Sequence, residues 1–147
     1  SNVYTNRPVD KRSADWDRAD VTSLNIGGDD IKLYTNLYYA GIEFTSNTVD
    51  ASAMTHFHMD VWVPSGTTFR VKLVDFGADG IYLGGDDSEF ELTFNSASTP
   101  ALVTGSWVGL EVPLADFTGL LARAHLSQII ISGDMRTAYV DNIYFHR

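Results

Sequence analysis

The sequence contains no cysteine. That removes disulfides, thiolate metal sites and cysteine nucleophiles in one step. It leaves an extracellular setting open, because a chain with a large enough core needs no covalent staples. Basic residues are also scarce, 10 against 19 acids, for a net charge of −9. Such a chain repels a phosphate backbone, so no nucleic acid is expected as a partner. The acid excess suits hard-cation binding and equally suits plain solubility. No apolar run exceeds a handful of residues, as in QIIISG at 128–133, whereas a membrane-crossing helix needs about 20; no membrane partner is expected. The opening SNVYTNRP lacks the basic start and apolar stretch of a signal peptide, so the chain is read as excised from a longer one. Motifs of nucleophilic and phosphate chemistry are missing too, with neither G-x-S-x-G nor a phosphate loop.

What is present is strand signal. The 147 residues are 44% hydrophobic, enough for one domain with a real core, taken here as a single unit over 1–147. MTHFHMDVWV (54–63) alternates cleanly: Phe57, Met59, Val61 and Val63 point one way, His56, His58, Asp60 and Trp62 the other. FRVKLVDF (69–76) and WVGLEVPL (107–114) repeat the pattern. Further strands are expected at 21–26, 31–35, 39–45, 90–95, 128–132 and 138–146. Turn clusters such as GGDD (27–30), PSGT (64–67) and FGADG (76–80) separate several of them. About nine or ten short strands at this spacing predict an all-β sandwich or barrel. LADFTGLLARAH (114–125) is the one segment that reads as helical. In AYVDNIYF, Val140 and Ile143 cannot share a face under strict alternation, and a bulge near Asp141–Asn142 reconciles them.

The sharpest constellation is His56, His58, Asp60 and Trp62 on one face of a strand. An indole offers a flat apolar face plus one donor, which matches the apolar faces and hydroxyl rims of pyranose rings. Arg70 and Lys72 join that face if the two strands pair. The alternative is an ordinary solvated strand. His56-x-His58 could also ligate a transition metal, which leaves a small metal-dependent enzyme as a third reading. Glycoside hydrolysis needs two carboxylates at a set separation; Glu89 and Glu91 share a face, but the ExDxxE pattern of jelly-roll β-glucanases is absent. Asp75, Asp79, Asp86 and Asp87 lie in a glycine-rich segment that lacks EF-hand spacing. That segment could hold calcium, contact a sugar through Tyr82, or simply be a solvated hairpin. Trp16, in the acid-rich SADWDRAD, either plugs one end of the sandwich or stands at the rim of a cleft.

On SNVYTN, YTNLYYAGIEF, ASAMTHFHMDVWVP, FRVKLVDFGADG and TAYVDNIYFHR, the chain resembles the β-jelly-roll carbohydrate-binding modules attached to secreted bacterial polysaccharide hydrolases, laminarinase-like β-glucanases among them. The resemblance covers nearly the whole chain. It implies a galactose-binding-domain-like sandwich of two antiparallel sheets, secreted and monomeric, with no catalytic residues of its own. The partners it implies are a polysaccharide, most simply a β-glucan or related plant or algal glycan, and a covalently attached catalytic domain. It also implies a structural calcium tying the first strand to the last, through positions matching Asn2, Tyr4 and Asp141. The exposed-aromatic candidates for the sugar are Trp16, Tyr38, Trp62, Tyr82 and Trp107, with His58 and Arg70 as polar contacts. A non-sugar-binding sandwich that packs on a catalytic neighbour is the other reading held open.

Overall fold

The computed structural model describes residues 4–147. It contains eight strands: β1 (Arg18–Ile26), β2 (Asp29–Glu43), β3 (His56–Trp62), β4 (Phe69–Asp75), β5 (Ser88–Phe94), β6 (Trp107–Pro113), β7 (Leu126–Gly133) and β8 (Ala138–His146). All pairings are antiparallel, in the order β5-β4-β7-β2-β8-β3-β6, with β1 also on β2. The all-β expectation holds. The count is eight because two expected strands, 31–35 and 39–45, are one long strand with a kink. Asn36 at its middle has φ of 48°, a left-handed conformation that asparagine tolerates better than most residues.

That kink makes the sandwich. The first part of β2 pairs with β8 through Lys32–Tyr34, and the last part pairs with β7 through Tyr39–Glu43. One continuous sheet therefore curls into two facing halves. The front half is β1, the start of β2, β8, β3 and β6; the back half is the end of β2, β7, β4 and β5. Between them lies the apolar side of every alternating strand: Phe57, Met59 and Val61 from β3, Leu110 and Val112 from β6, Phe69, Val71 and Leu73 from β4, and Ile129 and Ile131 from β7, all at most 3% exposed. Each such side chain contributes about 1.5–3 kcal/mol by leaving water.

The bulge expected in the last strand is there. Asp60 faces Asp141 but His58 faces Tyr144, so β8 spends one extra residue, and Asn142 takes φ of 48°. The helix expected over 114–125 is not formed. Only Leu114–Asp116 makes a 3-10 turn, followed by a second tight turn. The Phe117 amide donates to the Leu114 carbonyl at 3.2 Å and the Leu120 amide to that of Phe117 at 3.0 Å. Leu114, Phe117 and Leu120 are buried at a spacing of three, which suits successive i→i+3 turns rather than a 3.6-residue period. Leu121, which would extend a helical stripe, stands in solvent.

Candidate functional site

The outer face of the front half carries the expected His–Asp–Trp strand. His58 sits at its centre with both ring nitrogens engaged, Nδ1 with Glu111 Oε2 at 2.7 Å and Nε2 with Asp60 Oδ1 at 2.9 Å. Its ring stacks on Tyr144 with centroids 4.6 Å apart. Asn142, set outward by the bulge, donates its amide to Asp60 Oδ2 at 2.8 Å. His146 Nε2 contacts the other oxygen of Glu111. Burial raises the Glu111 carboxyl pKa, but the hydrogen bonds from His58 and His146 outweigh it, so the group stays below its ordinary value. Trp62 packs edge-on to Tyr139 at 5.3 Å, and Trp107, its cross-strand partner, is 48% exposed. A shallow depression is lined by Asp29 and Ile31 of β2, Asp60, Asp141, Asn142 and Trp107 of β6. β8 and β3 lie between those outer strands, so the depression spans four neighbouring strands of the front half.

The outer face of the back half is built differently. Segment 10–17 runs along the free edge of β2: the Glu43 amide donates to the Lys11 carbonyl at 2.8 Å and the Ala14 amide to that of Gly41 at 2.9 Å. Asp17 closes the segment by accepting from the Gly41 amide at 3.0 Å. The turn this creates carries Trp16 back over the sheet. A Cβ on Gly41 would lie 2.5 Å from two atoms of the indole, so only glycine leaves room for the ring. Trp16 is 45% exposed and nearly parallel to Tyr39, at 15° and 6.3 Å. Beyond the rings the strand register supplies polar groups. Gln128 donates to Glu43 at 2.9 Å, Arg70 lies 3.9 Å from Glu91, and Lys72 lies 3.7 Å from Glu89. Val74 and Gln128 have outward parity yet are buried, so one end of this face is walled over.

The structure thus divides the expected sugar contacts. Trp16 and Arg70 share the back face. His58, Trp62 and Trp107 share the front face. β3 and β4 do not pair, so Arg70 and Lys72 stand on the opposite side of the molecule from His58. Tyr38 joins neither group, since Arg18 and Arg136 lie 3.7 and 3.9 Å from its ring centroid. Two guanidinium groups cannot crowd one side of a ring so closely, so both of its faces are covered. Tyr82 projects from the β4–β5 loop against Phe76 at 5.7 Å. Glu89 and Glu91 face the basic residues of β4. The His56-x-His58 pair is split: His56 stacks on His146 at 5.3 Å and His58 is held by carboxylates.

Of the expected calcium positions, Asn2 lies outside the described residues. Tyr4 packs on Tyr144 at 5.2 Å. Asp141 faces the front depression with its carboxyl pKa raised, first by burial and then by Asp29 and Asp60 beside it, against the lowering effect of the Asn142 amide. In the β4–β5 loop, Asp79, Asp86 and Asp87 come together, and all three accept hydrogen bonds from the loop's own amides. Asp75 is apart from them, fully buried, accepting from the Gly77 and His125 amides.

Sequence reasoning missed Tyr39, Gln128 and Glu43. The signal was in YYAGIE: a tyrosine two residues before a glycine on one strand face leaves a ring-sized gap beside an aromatic.

No protein-family model and no curated protein sequence matches this chain. Solved structures do match in fold. The family 30 carbohydrate-binding module of the cellulosomal cellulase Cel9D-Cel44B of Clostridium thermocellum is 13% identical with a TM-score of 0.67, over 95% of this chain and 92% of that one. The family 11 module from Clostridium thermocellum, in complex with a β-1,3-1,4-mixed-linked tetrasaccharide, is 18% identical with a TM-score of 0.54, over 87% and 83%. A family 28 module specific for non-crystalline cellulose is 16% identical with a TM-score of 0.57, over 86% and 80%. The chain has the jelly-roll fold of carbohydrate-binding modules.

Proposed function

We propose that this chain is a non-catalytic polysaccharide-binding module, secreted as part of a glycoside hydrolase that it directs to a β-glucan or related plant or algal glycan. The observation that carries this reading is the seat of Trp16: an indole held over Gly41 beside Tyr39, on a face with amide, carboxylate and basic groups in reach. Burying about 100 Å² of ring and sugar surface contributes roughly 2.5 kcal/mol per stacked ring. Two rings with hydrogen bonds, less ordering costs, give a dissociation constant of roughly 1 mM to 1 μM. Tethering to an enzyme multiplies so modest an affinity through local concentration. The fold shared with modules of cellulases and of mixed-linkage glucan binding supports the substrate class.

A second glycan face is favoured by the front depression, where Trp107 overlooks Asp60 and Asp141. Affinity gel electrophoresis on laminarin, mixed-linkage glucan, xylan and mannan tests both. Retardation lost in Trp16→Ala and kept in Trp107→Ala establishes the back face; the reverse pattern moves the site to the front. No retardation by any glycan sinks the binding function and favours a sandwich that packs on a catalytic neighbour.

We also propose a structural calcium at Asp141. The donor chemistry suits it: Asp141 is crowded by two carboxylates whose repulsion a hard cation relieves, and Tyr4 brings the start of the chain beside β8. A melting temperature unchanged by chelator and by added calcium would refute this.

A further inference from the structure

The front face holds a second constellation that the glycan reading does not use. His56, Glu111 and His146 come from β3, β6 and β8, and each can offer one ligand atom within 4.8 Å of the others. The strand register creates the set. His56 and His146 are direct cross-strand partners. Glu111 stands opposite His58, one step along the same face, within reach of both rings on the diagonal.

Each of the three is also oriented from behind. His56 Nδ1 lies 2.8 Å from Thr55 Oγ1. His146 Nδ1 lies 2.9 Å from the Arg147 oxygen. His58 holds Glu111 through Oε2 and is itself held by Asp60. Hydrogen bonds that fix ring tautomer and carboxylate direction are the supporting shell of metal-ligating histidines. The arrangement has a further consequence at His146. The Arg147 oxygen can only accept, so Nδ1 donates to it. Its Nε2 in turn faces Glu111 Oε1 with a proton between them. A metal ion held by His146 Nε2 and Glu111 takes the place of that proton, which is released on binding.

We infer that His56, Glu111 and His146 bind a divalent transition metal, with zinc the best match. Two imidazole nitrogens and one carboxylate are the donor set of zinc, which takes four ligands. Calcium needs 6–8 oxygens, so the site is chemically distinct from the calcium proposed at Asp141. Solvent completes the fourth position, because all three ligands lie on the open face. The ion would pin β6, β3 and β8 together from outside the core. This inference does not depend on glycan binding.

Titration of the metal-free protein with zinc chloride by calorimetry tests it, with calcium chloride as comparison. One zinc per chain is expected, unaffected by excess calcium. His56→Ala and His146→Ala should each weaken binding at least about tenfold, and His58→Ala should weaken it by roughly 10–100-fold through the supporting shell. His125→Ala, at the one histidine elsewhere, should leave it unchanged. Circular dichroism of each variant reports whether it folds. Cobalt loading gives a second reading, a visible absorption band in the parent that His146→Ala abolishes. Absence of stoichiometric zinc binding overturns the inference. So does zinc affinity equal in the parent, His56→Ala and His146→Ala, or a cobalt band that survives His146→Ala.

Discussion

On the outer face of β3, β6 and β8, the polar atoms are already committed. His58, Asp60 and Glu111 each use both of their side-chain nitrogens or oxygens on one another, on Asn142 or on His146. On the outer face of β2, β7, β4 and β5, the pairs are looser. Arg70 and Lys72 sit nearly 4 Å from their carboxylates, and Trp16 lies against backbone instead of a polar partner. The two faces use similar residue types, yet they differ in what a ligand must displace. A sugar hydroxyl on the front face competes with short, charge-assisted bonds, each worth about 1.5–3 kcal/mol. On the back face it competes with exposed ion pairs worth roughly 0–1 kcal/mol. Faces alike in residue type therefore differ in how readily they can exchange their existing hydrogen bonds for those of a ligand.

The contrast can be broken most directly at Trp16. Trp16→Ala should cost about 2.5 kcal/mol of glycan binding, roughly 70-fold in affinity, read by calorimetry on a soluble oligosaccharide. Trp62→Ala on the front face should leave that affinity unaltered. Gly41→Ala should have the next largest effect. Its new methyl forces the indole off its seat, and about tenfold in affinity should be lost, near 1.4 kcal/mol, with every aromatic side chain still present. On the front, His58→Ala should leave glycan affinity alone and lower stability by about 1 kcal/mol, a melting shift of roughly 2–4 °C. An equal loss of glycan affinity would mean that the two faces cooperate.

The smallest effect concerns the end of the back half, where Asp134 accepts from the Thr67 hydroxyl and the Thr67 and Thr68 amides. Those bonds lower its pKa from 3.8 to about 2. Because the folded value is depressed, the contribution is fully present above the ordinary carboxyl range and fades as pH falls towards 2. Asp134→Asn should flatten the decline of stability between about pH 4 and pH 2, measured by denaturant melts.

The period of two in 54–63, 69–76 and 107–114 carried both fold class and core residues, because buried and exposed positions differ in polarity there. The broken parity at Val140 and Ile143 located the bulge. Long-range pairing was not legible. Nothing local says that β3 and β4, joined by a short connection, belong to opposite halves, so Arg70 could not be assigned a face. The kink at Asn36 hid because a single left-handed residue has no periodic signature. The seat of Trp16 was out of reach for a related reason: it depends on Gly41, 25 positions away.

β2 belongs to both halves, hydrogen-bonded to β8 near one end and to β7 near the other. A splayed intermediate that keeps one half intact would have to tear this strand from its neighbours along part of its length. The Ala40 and Ile42 amides, which alternate with the edge-facing amides of Gly41 and Glu43 and so point at β7, should therefore exchange with solvent at the same slow rate as the β2 amides directed at β8, set by global opening. A module built this way unfolds as a single cooperative unit, so either face is lost only when the other is.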